Sequence, residues 1–182
     1  MTHEKVLQTC YLLFLSGMDT VTNVTGFAWR YLAGDPELQE RLAGDFSLIP
    51  GFVEEALRMF AVVSVPRIVT QDATRFGVQF REGQMVICAL MLGGRDARVE
   101  RDPNRFDPER DSKHGLAFSS GPHLCIGHGL ARTEMRILTE EWFERIPAFV
   151  IEPGSGQKFR LGMVNSLDSL QLQWWETLPR DA

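Results

Sequence analysis

The sequence predicts a mainly α fold with small β-sheets, an α+β architecture, on three observations. A helix-length, largely apolar stretch opens the chain, short β-branched runs separated by turn residues occupy its middle, and a strongly patterned helical stretch follows a long irregular loop. From Glu4 to Leu32 the residues read as one long helix, apolar all round between Tyr11 and Leu15, which predicts burial across a core. Asp35, Pro36 and Glu37 then supply an N-cap, a first-turn proline and a first-turn acid for a short helix ending near Gly44. Pro50 opens a further helix through Arg58. Ile68-Val69-Thr70, Val78-Gln79-Phe80 and Met85-Val86-Ile87 predict a small sheet. Gly94 to Gly129 has little periodicity, and irregular stretches of that length are usually functional. From Leu130 a helix is predicted, with Ala131, Met135, Leu138, Trp142 and Ile146 on its apolar stripe. Short strands after Pro147 close the chain.

The chain has 182 residues, 44% hydrophobic and 24% charged, with no repeats or linker, which fits one domain. Its net charge of -5 gives no basic footprint, so neither nucleic acid nor an anionic membrane is expected as a partner. No apolar run reaches the roughly 18 residues of a membrane span, and Met1–Lys5 lacks a signal peptide's apolar segment, so a cytoplasmic location is expected. Cys10, Cys88 and Cys125 are odd in number and far apart, which argues against a disulfide framework.

The segment from Phe118 to Gly129 places Cys125 between glycines, directly before the predicted helix. A thiol there feels the positive end of the helix dipole and unpaired backbone N–H groups, both of which favour the thiolate. Flanking glycines let backbone approach the sulfur and a flat ligand. A bare Cys-x-x-His is more often a buried cysteine beside a turn. Zinc is a second alternative, because His123, Cys125 and His128 are closely spaced, but the other cysteines lie in different elements. Covalent c-type heme would need Cys-x-x-Cys-His, which does not occur.

Phe118 to Gly127 resembles the heme-binding signature of the cytochrome P450 family, Phe-x-x-Gly-x-His/Arg-x-Cys-x-Gly. Ser119 stands where bacterial members usually have glycine, and Pro122 is less common there. Three other stretches agree with the family in order and spacing. Ser16-Gly17-Met18-Asp19-Thr20 resembles the oxygen-binding groove, where the helix is locally distorted; Glu55-Ala56-Leu57-Arg58 resembles the Glu-x-x-Arg motif; Phe106 to Arg110 resembles the meander that supplies a third partner, Arg110. Taken without the resemblance, a Glu and an Arg three apart are usually a solvated surface pair, and a mid-helix threonine usually bonds back to the carbonyl four residues earlier.

The resemblance implies the C-terminal portion of the cytochrome P450 fold, a partial domain over residues 1–182 that runs from the oxygen-groove helix to the C-terminus and lacks the N-terminal half. It implies heme b (iron protoporphyrin IX) ligated by Cys125, with Phe118, Gly127, His123 and Arg67 also against the cofactor and the last two on its propionates. It assigns proton relay towards O2 to Asp19 and Thr20, and a structural network to Glu55, Arg58 and Arg110. A small apolar substrate would meet Leu12, Leu15 and Ser16, then Val63 and Val65, then Met163 and Val164. The branch resembled is the bacterial camphor-hydroxylase type, which implies a 2Fe-2S ferredoxin as electron donor, for which Arg132 and Arg136 would offer positive charge. The implied activity is monooxygenation of an apolar C–H bond; the alternatives are a non-catalytic heme-binding remnant and a structural zinc protein.

Overall fold

The computed structural model describes residues 1–111 and 115–175. Helix α1 (His3–Leu32) starts at Thr2, whose side chain accepts a hydrogen bond from the Lys5 amide. Its buried residues, Asn23, Val24, Ala28, Trp29 and Leu32, all lie in the C-terminal half, whereas residues 1–19 are exposed throughout. The expected burial of the whole helix is therefore corrected: Leu12, Leu13, Phe14 and Leu15 are each more than half exposed, because the core gathers around residues 23–32 only.

Helix α2 (Pro36–Gly44) begins as its sequence requires, with Asp35 accepting from the Leu38 amide at 3.0 Å. Helix α3 (Ile49–Met59) is buried on nearly every side. Strands β1 (Ser64–Ile68) and β4 (Met85–Ala89) pair antiparallel, as do β2 (Ala73–Arg75) and β3 (Val78–Phe80). The middle of the chain is thus two hairpin-like sheets rather than one, and β1 starts four residues earlier than the β-branched run suggested. Pro66 lies inside it, tolerable in a sheet of two strands where one side has no partner. Phe76 and Gly77, with φ of 51° and 79°, make the two-residue turn between β2 and β3.

Helix α4 (Leu90–Gly93) is a single turn leading into the long loop. Helix α5 (His128–Arg145) follows, and then two more antiparallel pairs, β5 (Ala148–Ile151) with β8 (Leu172–Trp175) and β6 (Phe159–Arg160) with β7 (Ser166–Leu167). The buried residues of α5 are Ala131, Met135, Thr139 and Phe143; Ala131 and Met135 are as expected and Trp142 and Ile146 pack half-buried against the core, but Leu138 is 42% exposed and Thr139 takes its place. Thr139 is tolerated there because its hydroxyl donates to the Met135 carbonyl at 2.6 Å.

Trp29, Phe52, Phe106, Trp142 and Phe149 form the aromatic centre of the core where α1, α3, α5 and β5 meet. Buried Gln39 ties three elements together: its amide donates to the Leu32 and Phe149 carbonyls at 2.6 and 3.0 Å and accepts from the Phe149 N–H at 2.9 Å. Truncation would leave backbone groups buried and unpaired, so Gln39→Ala is expected to cost about 1–3 kcal/mol. Urea unfolding of the chain checks this, with an unchanged midpoint counting against it.

Candidate functional site

The cysteine loop is closed by its own backbone. The Cys125 amide donates to the Phe118 carbonyl at 2.9 Å, the Leu124 amide to Gly121 at 3.0 Å, and the His128 amide to the Cys125 carbonyl at 3.3 Å. Gly121 to His123 make one 3-10 turn, and two residues of the loop are left-handed, Gly121 at φ 64° and Ser119 at φ 61°. The serine thus occupies a conformation that glycine adopts without strain, which accounts for glycine being the usual residue of the resembled motif at that position. No side chain caps the first turn of α5, so the positive end of the helix is left to the Cys125 side. A Cβ added to Gly127 would lie 3.9 Å from the Cys125 sulfur. The thiol is exposed, and so are Leu124 and Ile126 beside it, the latter by 87%. His123 is also exposed. Cys10 and Cys88 are free and exposed as well.

On α1 the oxygen-groove stretch is regular helix, not the expected local distortion. Thr20 donates to the Ser16 carbonyl at 3.0 Å and Ser16 to Leu12 at 2.7 Å. Each hydroxyl proton is therefore engaged, and each oxygen keeps lone pairs to accept with. Asp19 is exposed and accepts from the Asn23 side-chain amide at 2.8 Å. A Cβ on Gly17 would meet nothing within 4 Å, so no packing among the described residues requires glycine at this helix-interior position.

Glu55 and Arg58 are both fully buried. Arg58 donates to the two Glu55 carboxylate oxygens at 2.7 and 2.6 Å, and its remaining donors reach the Gly94, Pro103 and Arg105 carbonyls. Arg110 approaches the same carboxylate at 3.3 Å and buried Glu100 at 3.6 Å, while the Asp107 amide adds a 2.9 Å bond to Glu55. The solvated-pair alternative fails because no water reaches either charge. The roles of Glu100, the Asp107 amide and Gly94 in this cluster were not legible in the sequence. A Cβ on Gly94 would collide with the Arg58 backbone, so that glycine is required by close approach.

Of the three expected substrate segments, two are brought together. Val63 and Val164 form an isolated antiparallel bridge, and the Ser64 amide donates to Met163 at 2.7 Å. Val65 is half-buried in β1 opposite Cys88. Leu12, Leu15 and Ser16 are exposed on α1. Arg67 is exposed on β1 and donates locally to the Pro66 carbonyl at 2.9 Å. Arg132 and Arg136 are not unpaired cations: they bind Glu54 at 2.5 Å and Glu140 at 2.7 Å. Among the described residues no group of three or more His, Cys, Asp or Glu side chains could hold a metal ion, so the closely spaced His123, Cys125 and His128 are not gathered as the zinc alternative needs. No helix among them is long and apolar enough to cross a membrane.

The Cytochrome P450 family model matches residues 1–146. Probable cytochrome P450 127A1 of Sinorhizobium fredii is 37% identical over 174 residues, which cover 96% of this chain and 42% of that protein. Vitamin D3 dihydroxylase of Streptomyces griseolus is 35% identical over 79% of this chain and 36% of its own length. The crystal structure of CYP101J2 superposes with a TM-score of 0.89 at 35% identity, over 96% of this chain and 45% of that one. The chain thus spans less than half the length of each. Arg58→Ala would take away the two shortest charged contacts of the buried Glu55 carboxylate, leaving it Arg110 and the Asp107 amide, and a loss of about 3–5 kcal/mol is expected. Chemical denaturation reads it; a variant as stable as the parent would contradict the geometry.

Proposed function

The chain belongs to the cytochrome P450 family, and on that premise we propose that it is the heme-ligating, catalytic portion of a heme-thiolate monooxygenase that inserts one oxygen atom of O2 into an apolar C–H bond of a small molecule. Members of the family bind heme b, and the described residues fit it. The observation that carries the reading is the exposed thiol of Cys125, a residue whose backbone amide is held by the Phe118 carbonyl at an uncapped helix N-terminus and which is flanked by exposed Leu124 and Ile126, a setting suited to a flat apolar ligand with a soft metal. When bound, the cofactor supplies a thiolate-ligated iron able to promote O–O cleavage.

The chain's own residues would then divide the work. Cys125 ligates as thiolate, with Phe118 and Gly127 shaping the loop around it. Arg67 and His123, both exposed and able to donate, would pair with the propionate carboxylates. Thr20 would accept a hydrogen bond on the open side of α1 while its own proton is held by the Ser16 carbonyl, and would release that proton towards O2 only as Asp19 supplies a replacement to the same oxygen. Val63, Val65, Met163 and Val164, with Leu12, Leu15 and Ser16 of α1, would bound a largely apolar substrate cavity in which selectivity depends on shape. Electrons would come from a 2Fe-2S ferredoxin.

A second reading, a heme-binding remnant without turnover, is favoured by one observation: residues 1–19 are exposed, including much of the proposed substrate wall, in a chain spanning 42% of a relative's length. Product formation separates the two.

Reduced, carbon-monoxide-treated chain, supplemented with the rest of the fold where loading requires it, should give the red-shifted Soret band of thiolate heme. Cys125→Ala should abolish the band, and Cys10→Ala and Cys88→Ala should leave it intact; its persistence in Cys125→Ala would reject the ligand. For the cavity, Val63→Phe should alter product ratios while heme binding holds. Constant ratios across Val63, Met163 and Val164 substitutions would show the cavity to lie elsewhere.

A further inference from the structure

Arg132 sits on the second turn of α5 and touches three groups at once. Its guanidinium grips the Glu54 carboxylate of α3 through two nitrogens, at 2.5 and 3.2 Å. A third nitrogen lies 3.1 Å from His128 Nδ1 and 3.2 Å from the His128 carbonyl. The guanidinium carbon stands 4.6 Å from the centre of the Phe118 ring, which itself meets the His128 ring edge-on at 6.1 Å. Phe118 and His128 bracket the cysteine: one supplies the carbonyl that accepts the Cys125 amide, and the other donates its amide to the Cys125 carbonyl.

We infer that Arg132 is a positioning residue for the cysteine loop, clamping Phe118 and His128 to Glu54 and so fixing where the Cys125 sulfur points. The inference deepens the reading of Cys125 as the heme ligand and rests on it for its functional meaning. It reassigns Arg132 away from contact with an electron donor, since an arginine whose charge is already matched offers an acidic partner little new attraction. Arg136 differs, because its pairing with Glu140 is local to α5 and reaches no part of the loop. The planar fork matters: a lysine could meet Glu54 but could not at the same time stack on Phe118 and reach His128.

The test compares Arg132→Ala, Arg132→Lys and Glu54→Gln with the parent chain, using two measurements that need no protein electron donor. Hydrogen exchange of the Cys125 and His128 amides should accelerate roughly two- to fivefold in each variant, the span a partly exposed ion pair supports, with the buried positions of α5 unchanged. In the dithionite-reduced, carbon-monoxide-treated protein the red-shifted Soret band should decay faster by a similar factor. The double variant Glu54→Gln/Arg132→Ala should be no worse than either single one, because both remove the same clamp. Unchanged loop exchange, or acceleration spread evenly over the whole of α5, would overturn the inference. Normal exchange combined with slower reduction by a ferredoxin would return Arg132 to partner docking and overturn it equally. Failure of the ligand reading shows separately, as a red-shifted band retained in Cys125→Ala.

Discussion

A carboxylate taken fully out of water must have its charge matched and its lone pairs used, or it is not ionised there at all. Glu55 meets that condition with two arginines and one backbone amide, and the geometry of residues 94–111 follows from how it does so. That segment has no strand or long helix to satisfy its carbonyls. Arg58 and Arg110 do this instead, taking carbonyls of Gly94, Arg101, Asp102, Pro103 and Arg105 as acceptors. The irregular approach to the cysteine loop is thereby as determined as a sheet would be. Replacing such an ion cluster with apolar residues of equal volume need not lower stability, but it would remove the donors that give the loop its path.

α3 serves both sides of the site through two adjacent acids. Glu55 turns inward to the meander, and Glu54 turns to α5. Neighbouring helix positions point about 100° apart, so consecutive carboxylates can serve separate partners without competing. The loop carrying Cys125 and the segment leading to it are therefore referred to a common rigid element that is itself buried against the aromatic core.

The sequence was most informative where a residue type has only one structural use. Asp35-Pro36 marked the start of α2, the Phe118–Gly127 spacing marked the cysteine loop, and the order of motifs joined Glu55 and Arg58 to Arg110 across 55 positions. It was least informative where pattern depends on surroundings. Apolar residues at 11–15 read as interior, yet the structure leaves them in solvent, because periodicity reports what a helix is suited to pack against and not whether that surface is present. On α5 Thr139 is buried in place of the expected Leu138, since it hides its hydroxyl against Met135, which composition cannot show. Arg132 looked like surface charge for the same reason: its partners lie 78 and 14 positions away in sequence, at Glu54 and Phe118.

Gln39 waits 110 positions for Phe149, and Val63 waits almost as long for Val164. Chain elongation at roughly 5–20 residues per second makes that interval about 5–20 s, during which α1 and α2 have left the ribosome without the strand that completes their shared core. An apolar helix in that state is a target for chaperones rather than a folded element. The shared core of α1 and α2 is therefore closed late in synthesis, only once Phe149 has been added.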